Sequence, residues 1–328
     1  MANLETKYMG LSLKSPIVVA SSGLTNTVEK IKELELAGAG AVVLKSLFEE
    51  QINAEVSHLI NKNPQNLYPE AEDYIWNYTR NNSITKHIEL VREAKKVVSI
   101  PVIASINCVS DKEWTAFAKD LEQAGADALE LNLFILPTQR DRSSAEIEQL
   151  YIDVLTKIKK LVKIPVSIKI GFYFTNLASM ADKLVGAGAQ AVVMFNRFYE
   201  PDIDINNLEI VPSEVFSSPS DIRRSLRWVG ILSAAVPNLQ IAASTGIHDS
   251  EAVIKQILVG AQVTQLCSTL YINGAQQIAG ILDDLKEFMK KWNFKTIDDF
   301  RGRLSYKNIP DPQLYERSQF MKYFSSKP

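Results

Sequence analysis

Cysteine and histidine are nearly missing from this chain. Cys108 and Cys267 are the only cysteines in 328 residues. That excludes a disulfide framework or a cysteine-held iron–sulfur centre and fits a reducing compartment. The three histidines, His58, His87 and His248, lie far apart with no ligand spacing, so no metal site is expected. Charge of one sign is not in excess either. The formal net charge is -2, whereas a nucleic-acid partner calls for a basic face. No apolar run approaches the roughly 20 residues of a membrane span, and Met1–Gly10 carries no apolar leader core. A cytoplasmic protein that binds neither nucleic acid nor membrane is the expectation.

What the chain does have is a repeated pattern. A helix ends in small residues and an apolar strand follows at Ala37–Ser46 (AGAGAVVLKS), Ala124–Asn132 (AGADALELN), Ala187–Asn196 (AGAQAVVMFN) and Gly260–Ser268 (GAQVTQLCS). Glycine suits the turn that stops a helix. The short run after it reads as a buried parallel strand. A second kind of strand precedes each unit, at Ser15–Gly23, Ile100–Asn107, Ile164–Gly171 and Asn238–Gly246. One two-strand unit takes about 60 residues, a repeat of supersecondary size. Eight alternating strands predict an α/β fold, a (β/α)8 TIM barrel, which typically needs about 250 residues as one domain. Residues 1–328 are therefore expected to form a single barrel. Leu4–Met9 and Leu11–Leu13 predict a small hairpin closing its floor. Two excursions interrupt it, at about 47–86 and at 197–219, and a polar tail begins at about 305. The first excursion is rich in tyrosine and asparagine and reads as a lid, a subunit contact or a substrate-covering loop, with helix resuming at Thr85–Val98.

In barrels of this type the chemistry sits at the carboxyl ends of the strands. Those ends read Ser21-Ser22-Gly23, Lys45-Ser46, Ser105-Ile106-Asn107, Asn132, Lys169, Asn196-Arg197, Ser244-Thr245-Gly246 and Cys267-Ser268-Thr269. Lysines inside apolar strands are costly unless paired or bound to an anion. Ser244-Thr245-Gly246-Ile247 and Ser268-Thr269 follow the last two strands, where barrels hold a phosphate on backbone N–H groups.

In that order, SPIVVASSGLT, AGAGAVVLKS, SIN, ADALELNL, IPVSIKIGFYF, VVMFNR, ASTGI and QLCSTL resemble the dihydroorotate dehydrogenase family of flavin barrels, over about Leu4 to Gly274. The resemblance implies FMN, held at Ser22, Gly23, Lys45, Ser46, Lys169, Ser244, Thr245, Gly246, Ile247, Cys267, Ser268 and Thr269. It implies Lys45 between flavin and substrate, Lys169 at the pyrimidine edge of the ring, and Asn132 and Asn196 at the substrate. It also implies a role in pyrimidine metabolism and a homodimer.

Departures accompany it. The family's cysteine or serine after the fourth strand is missing from Asn132-Leu133-Phe134-Ile135-Leu136-Pro137-Thr138. The family's glycine-rich orotate loop is absent, its nearest counterpart being Leu67-Tyr68-Pro69-Glu70-Ala71. Arg197 replaces a serine beside Asn196, which points to a small anionic substrate lined by Lys45, Asn132, Asn196 and Arg197. Lys45 and Asn132 are the candidate catalytic residues, with Cys108 as a further one. Two alternatives stay open: a flavin-free lyase forming a Schiff base on Lys45 or Lys169, and a barrel acting as a non-catalytic subunit.

Overall fold

The structure is a computed structural model and describes residues 2–46, 69–107 and 114–317. Eight parallel strands close into a barrel: β3 (Ile17–Val19), β4 (Ala41–Val43), β5 (Val102–Asn107), β6 (Ala128–Asn132), β7 (Val166–Ile170), β8 (Ala191–Met194), β11 (Gln240–Ser244) and β12 (Val263–Leu266), the last pairing back to β3. The expected (β/α)8 barrel is thus present. Its strands are short and buried on both sides, which is why they read as continuous apolar runs.

Alternation along each strand splits the apolar residues into two cores. Val18, Val43, Ile103, Ala128, Val193, Ala242 and Val263 fill the barrel interior. Their neighbours Val19, Val42, Leu129, Ile168, Val192 and Ile241 face the surrounding helices. The floor is plugged by a hairpin, β1 (Thr6–Tyr8) and β2 (Leu11–Leu13), turning at Met9 and Gly10, whose φ values are 52° and 80°. Tyr8, Met9 and Leu13 enter the interior core from below.

The outer layer is α1 (Val28–Leu36), α2 (Pro69–Val97), α3 (Trp114–Gln123), α4 (Ser144–Leu161), α5 (Leu177–Gly186), α6 (Ile222–Ala235), α7 (Ser250–Val259), the short α8 (Ser268–Asn273) and α9 (Gln277–Lys291). Helix α2 begins well before the expected Thr85, so much of the first excursion is helical rather than loop. The chain there reads Pro69-Glu70-Ala71-Glu72-Asp73. Proline suits the first helical turn. Tyr68 and the asparagines at 61, 63 and 66 lie outside the described residues, as does Cys108.

The second excursion contains an antiparallel hairpin, β9 (Pro201–Asp204) and β10 (Glu209–Pro212). Ile203 and Ile210 pair across it and are both exposed. The chain then returns over the barrel mouth to α6. The described part of the tail runs back over α6, where Tyr306 N–H donates to the Gly230 carbonyl and the Tyr315 ring packs on Gly230.

Candidate active site

The strand ends surround one cavity of about 450 Å³ at the carboxyl rim. Lys169, Asn196, Arg197, Ser244, Thr245, Gly246, Ile247, Cys267 and Ser268 line it, as expected from their positions. Its described lining carries two cations and no carboxylate.

Strand register explains the inner wall. Asn107 pairs with Asn132 and Asn132 with Lys169, so three strands present polar ends at one level. Asn196 Nδ2 donates to Asn132 Oδ1 at 2.8 Å, fixing both amides at the mouth. Lys169 is 8% exposed and donates from Nζ to Gln265 Oε1 at 3.0 Å. Gln265 Nε2 in turn donates to Glu130 Oε2 at 2.6 Å. Burial pushes the Glu130 carboxyl above its ordinary range, opposed by the Lys169 charge and the Gln265 bond. Glu130 and Gln265 were not expected here, although each lies two residues before an expected site residue and so shares its face of the strand.

At the other end, β11 terminates in a sharp turn. Thr245 and Gly246 both adopt left-handed φ values, 73° and 77°. A Cβ on Gly246 would come within 2.1 Å of the Ile222 amide nitrogen, so glycine lets the start of α6 pack against the turn. Thr245 Oγ1 donates to the Phe195 carbonyl at 2.9 Å, leaving its backbone as its contribution to the cavity. Ser217, from the second excursion, stands at the centre of this end. Its Oγ accepts from Gly246 N–H at 3.4 Å and lies 3.1 Å from Ser268 Oγ and 3.0 Å from His248 Nε2. Ser217 N–H donates to Ser268 Oγ at 3.0 Å. The sequence assigns no site role to Ser217, which lies within the second excursion, or to His248, which appears only as an isolated histidine. Only the return of the excursion over the rim brings Ser217 there.

Other expected residues stand around the cavity or are held within its wall. Ser46 Oγ sits 3.0 Å from Ser21 Oγ and 2.5 Å from Ser105 Oγ, joining three strand ends. Lys45, just beyond β4, is half-buried beside them. Ser22 caps the turn at Gly23 and accepts from Leu24 N–H. Gly23 leaves room for the Tyr271 hydroxyl. Thr269 is buried and donates to the His248 carbonyl at 2.8 Å. Arg197 is anchored: its guanidinium donates to the carbonyls of Glu214 and Val215, so its charge is fixed in the wall. Burial raises the Cys267 thiol pKa, against the Lys169 charge and a bond to Ser22, so the thiol is protonated at neutral pH.

Above the asparagines the rim is aromatic. Phe134 packs 4.1 Å from Phe198, which also meets Phe172 and Tyr173. Gly171 allows this, since a Cβ there would lie 2.6 Å from Phe198 Cζ. Among the described residues there is no cluster able to hold a metal ion, and no helix long and apolar enough to cross a membrane.

A parallel barrel with its polar groups gathered at the carboxyl ends of the strands is the architecture of a barrel enzyme. The family model described as dihydroorotate dehydrogenase matches residues 3–289, and the chain belongs to that family. It is similar to the catalytic subunit of the NAD-linked dihydroorotate dehydrogenase B of Methanocaldococcus jannaschii, 26% identical over 91% of this chain and 97% of the relative. The corresponding subunits of Thermoplasma volcanium and Alkaliphilus metalliredigens are 26% and 24% identical over 92% of this chain and 98% and 99% of theirs. The chain is thus an oxidoreductase of dihydroorotate dehydrogenase type, and neither the lyase nor the non-catalytic alternative is favoured.

Proposed function

We propose that the cavity holds FMN and that a small anion is oxidised or reduced against it. One observation carries this reading: a buried ammonium at one end and converging hydroxyl and amide groups at the other, backed by the His248 imidazole behind Ser217, share a single cavity without a carboxylate in its described lining. Donors of the second kind fit a phosphate. A cation at the first end fits the edge of a ring that gains negative charge on reduction. Bound FMN would supply two-electron hydride chemistry.

The residues would divide the remaining work. Ser217, His248, Ser268 and the Gly246 N–H would hold the phosphate. Lys169 would face the ring, and Asn132 with Asn196 would orient the substrate. Arg197 and Lys45 supply positive charge around the mouth, which supports an anionic substrate. The relatives are named as NAD-linked catalytic subunits. That likeness supports a partner chain passing electrons onward.

The test is reconstitution. Protein mixed with FMN and freed of excess by gel filtration is expected to keep about one flavin per chain. Ser217→Glu places a carboxylate among the phosphate donors and is expected to abolish retention while the fold survives by circular dichroism. Full retention by that variant would move the phosphate elsewhere.

A further inference from the structure

Glu130 has no role in the chemistry described so far. It lies inside the barrel on β6, 1% exposed, and does not line the cavity. Its Oε1 has no hydrogen-bond partner among the described residues. An apolar side chain would cost less at such a place. Among the described residues its one side-chain bond is the 2.6 Å contact from Gln265 Nε2, and the opposite end of that amide takes the Lys169 ammonium at 3.0 Å. The three residues come from β6, β12 and β7, so the chain of contacts spans the barrel interior.

A glutamine amide has nearly the same shape either way round, and only its partners choose the orientation. Turned over, Gln265 would point NH₂ donors at the Lys169 ammonium, which has only donors itself. The acceptor at Glu130 forbids that. We propose that Glu130 is a positioning residue: by accepting from Gln265 it keeps the amide oxygen toward Lys169 and so fixes where that ammonium stands at the cavity wall. Ionised, the carboxyl offers Gln265 acceptors alone, and protonated it still keeps one carbonyl oxygen for Gln265 Nε2. The consequence for flavin rests on the reading of the cavity given above; the positioning does not.

Glu130→Gln and Glu130→Leu separate the two. Both lack the charge and only the first keeps an acceptor. In crystal structures of the flavin-free variants, Glu130→Gln is expected to keep the Lys169–Gln265 contact and Glu130→Leu to lose it. An unchanged contact in the leucine variant overturns the proposal, whatever the protein binds. With FMN bound, the probe is sulfite, an anion that adds reversibly to electron-poor flavins. The leucine variant is expected to bind it about tenfold more weakly than the glutamine variant, the worth of about one hydrogen bond. That ratio is expected to fall to one when Lys169 is also changed to methionine. Equal sulfite affinities in the two variants, alongside weakened binding in Lys169→Met alone, also overturn it. Should Glu130→Leu fail to fold, Gln265→Leu replaces it against Gln265→Glu, which keeps an oxygen for Lys169. Wild-type protein that takes no FMN sinks the flavin reading and leaves the crystallographic comparison to decide the positioning.

Discussion

His87 is 8% exposed, its Nε2 has no hydrogen-bond partner among the described residues, and its ring lies 5.7 Å from that of Phe117. Burial lowers its pKa from 6.5 to about 4. The folded protein therefore binds this proton less well than the unfolded chain. Stability is complete above pH 6.5 and is lost as pH falls to about 4, below which the loss levels off. A shift of that size corresponds to about 3 kcal/mol at most. His87→Met is expected to remove this part of the acid sensitivity. Urea midpoints of variant and wild type measured across the window check it. Parallel curves would mean that the imidazole charges freely in the folded state. The same desolvation acts on Cys267, whose raised thiol pKa makes it a poor nucleophile despite its place at the cavity.

At the scale of elements, α1 does more than cover β3 and β4. Its Glu35 reaches the start of β5, where Oε1 accepts from Ser99 N–H at 2.6 Å and Ser99 Oγ at 2.7 Å. Lys32 closes on Oε2 at 2.7 Å. Burial by itself would raise this carboxyl, but the Lys32 ammonium and the Ser99 donors hold it at about 2. A depressed carboxylate stabilises the fold fully above its unfolded pKa of 4.5 and stops doing so as pH falls toward about 2. Glu35→Gln is expected to cost up to about 3 kcal/mol above that range and to converge with wild type on acidification. A constant difference at all pH values would assign the effect to packing instead. Elements of this kind were legible where period and punctuation agree. Four of the eight strands, β4, β6, β8 and β12, carry apolar runs after Gly-Ala or Ala-Gly stops, and α4 starts at a Ser143–Glu146 capping box. The start of α2 was not legible, because Asn-rich, aromatic sequence resembles loop even where proline, which suits a first helical turn, stands at its head.

Across the whole molecule, the site divides into what local pattern can show and what it cannot. Lys169, Gly246 and Ser268 announced themselves because strand ends in a barrel share one rim. Ser217 did not, because 20 residues separate it from Arg197 and a hairpin intervenes. Glu130 did not, because an acid inside an apolar strand gains meaning only from Gln265, 135 residues away. The same long-range packing bears on which substrate the cavity accepts. Family members oxidising dihydroorotate use a thiol or hydroxyl after the fourth barrel strand, and positioned proton transfer is worth about 10²–10⁴ in rate. Here Leu133 is buried and Phe134 packs on Phe198, so that loop is tied to the second excursion by aromatic contact and offers no acid or base between Asn132 and Thr138. Arg197, anchored on Glu214 and Val215, adds fixed positive charge on the same side. The expected outcome is turnover of dihydroorotate below about 1 s⁻¹ with NAD, fumarate or quinone as acceptor. Orotate is expected to perturb the flavin spectrum only well above micromolar concentration. Phe134→Cys, which restores a thiol near the family position, is expected to raise any residual rate. Fast turnover by the unaltered chain would show that another group, outside the described residues or at Lys45, takes the proton.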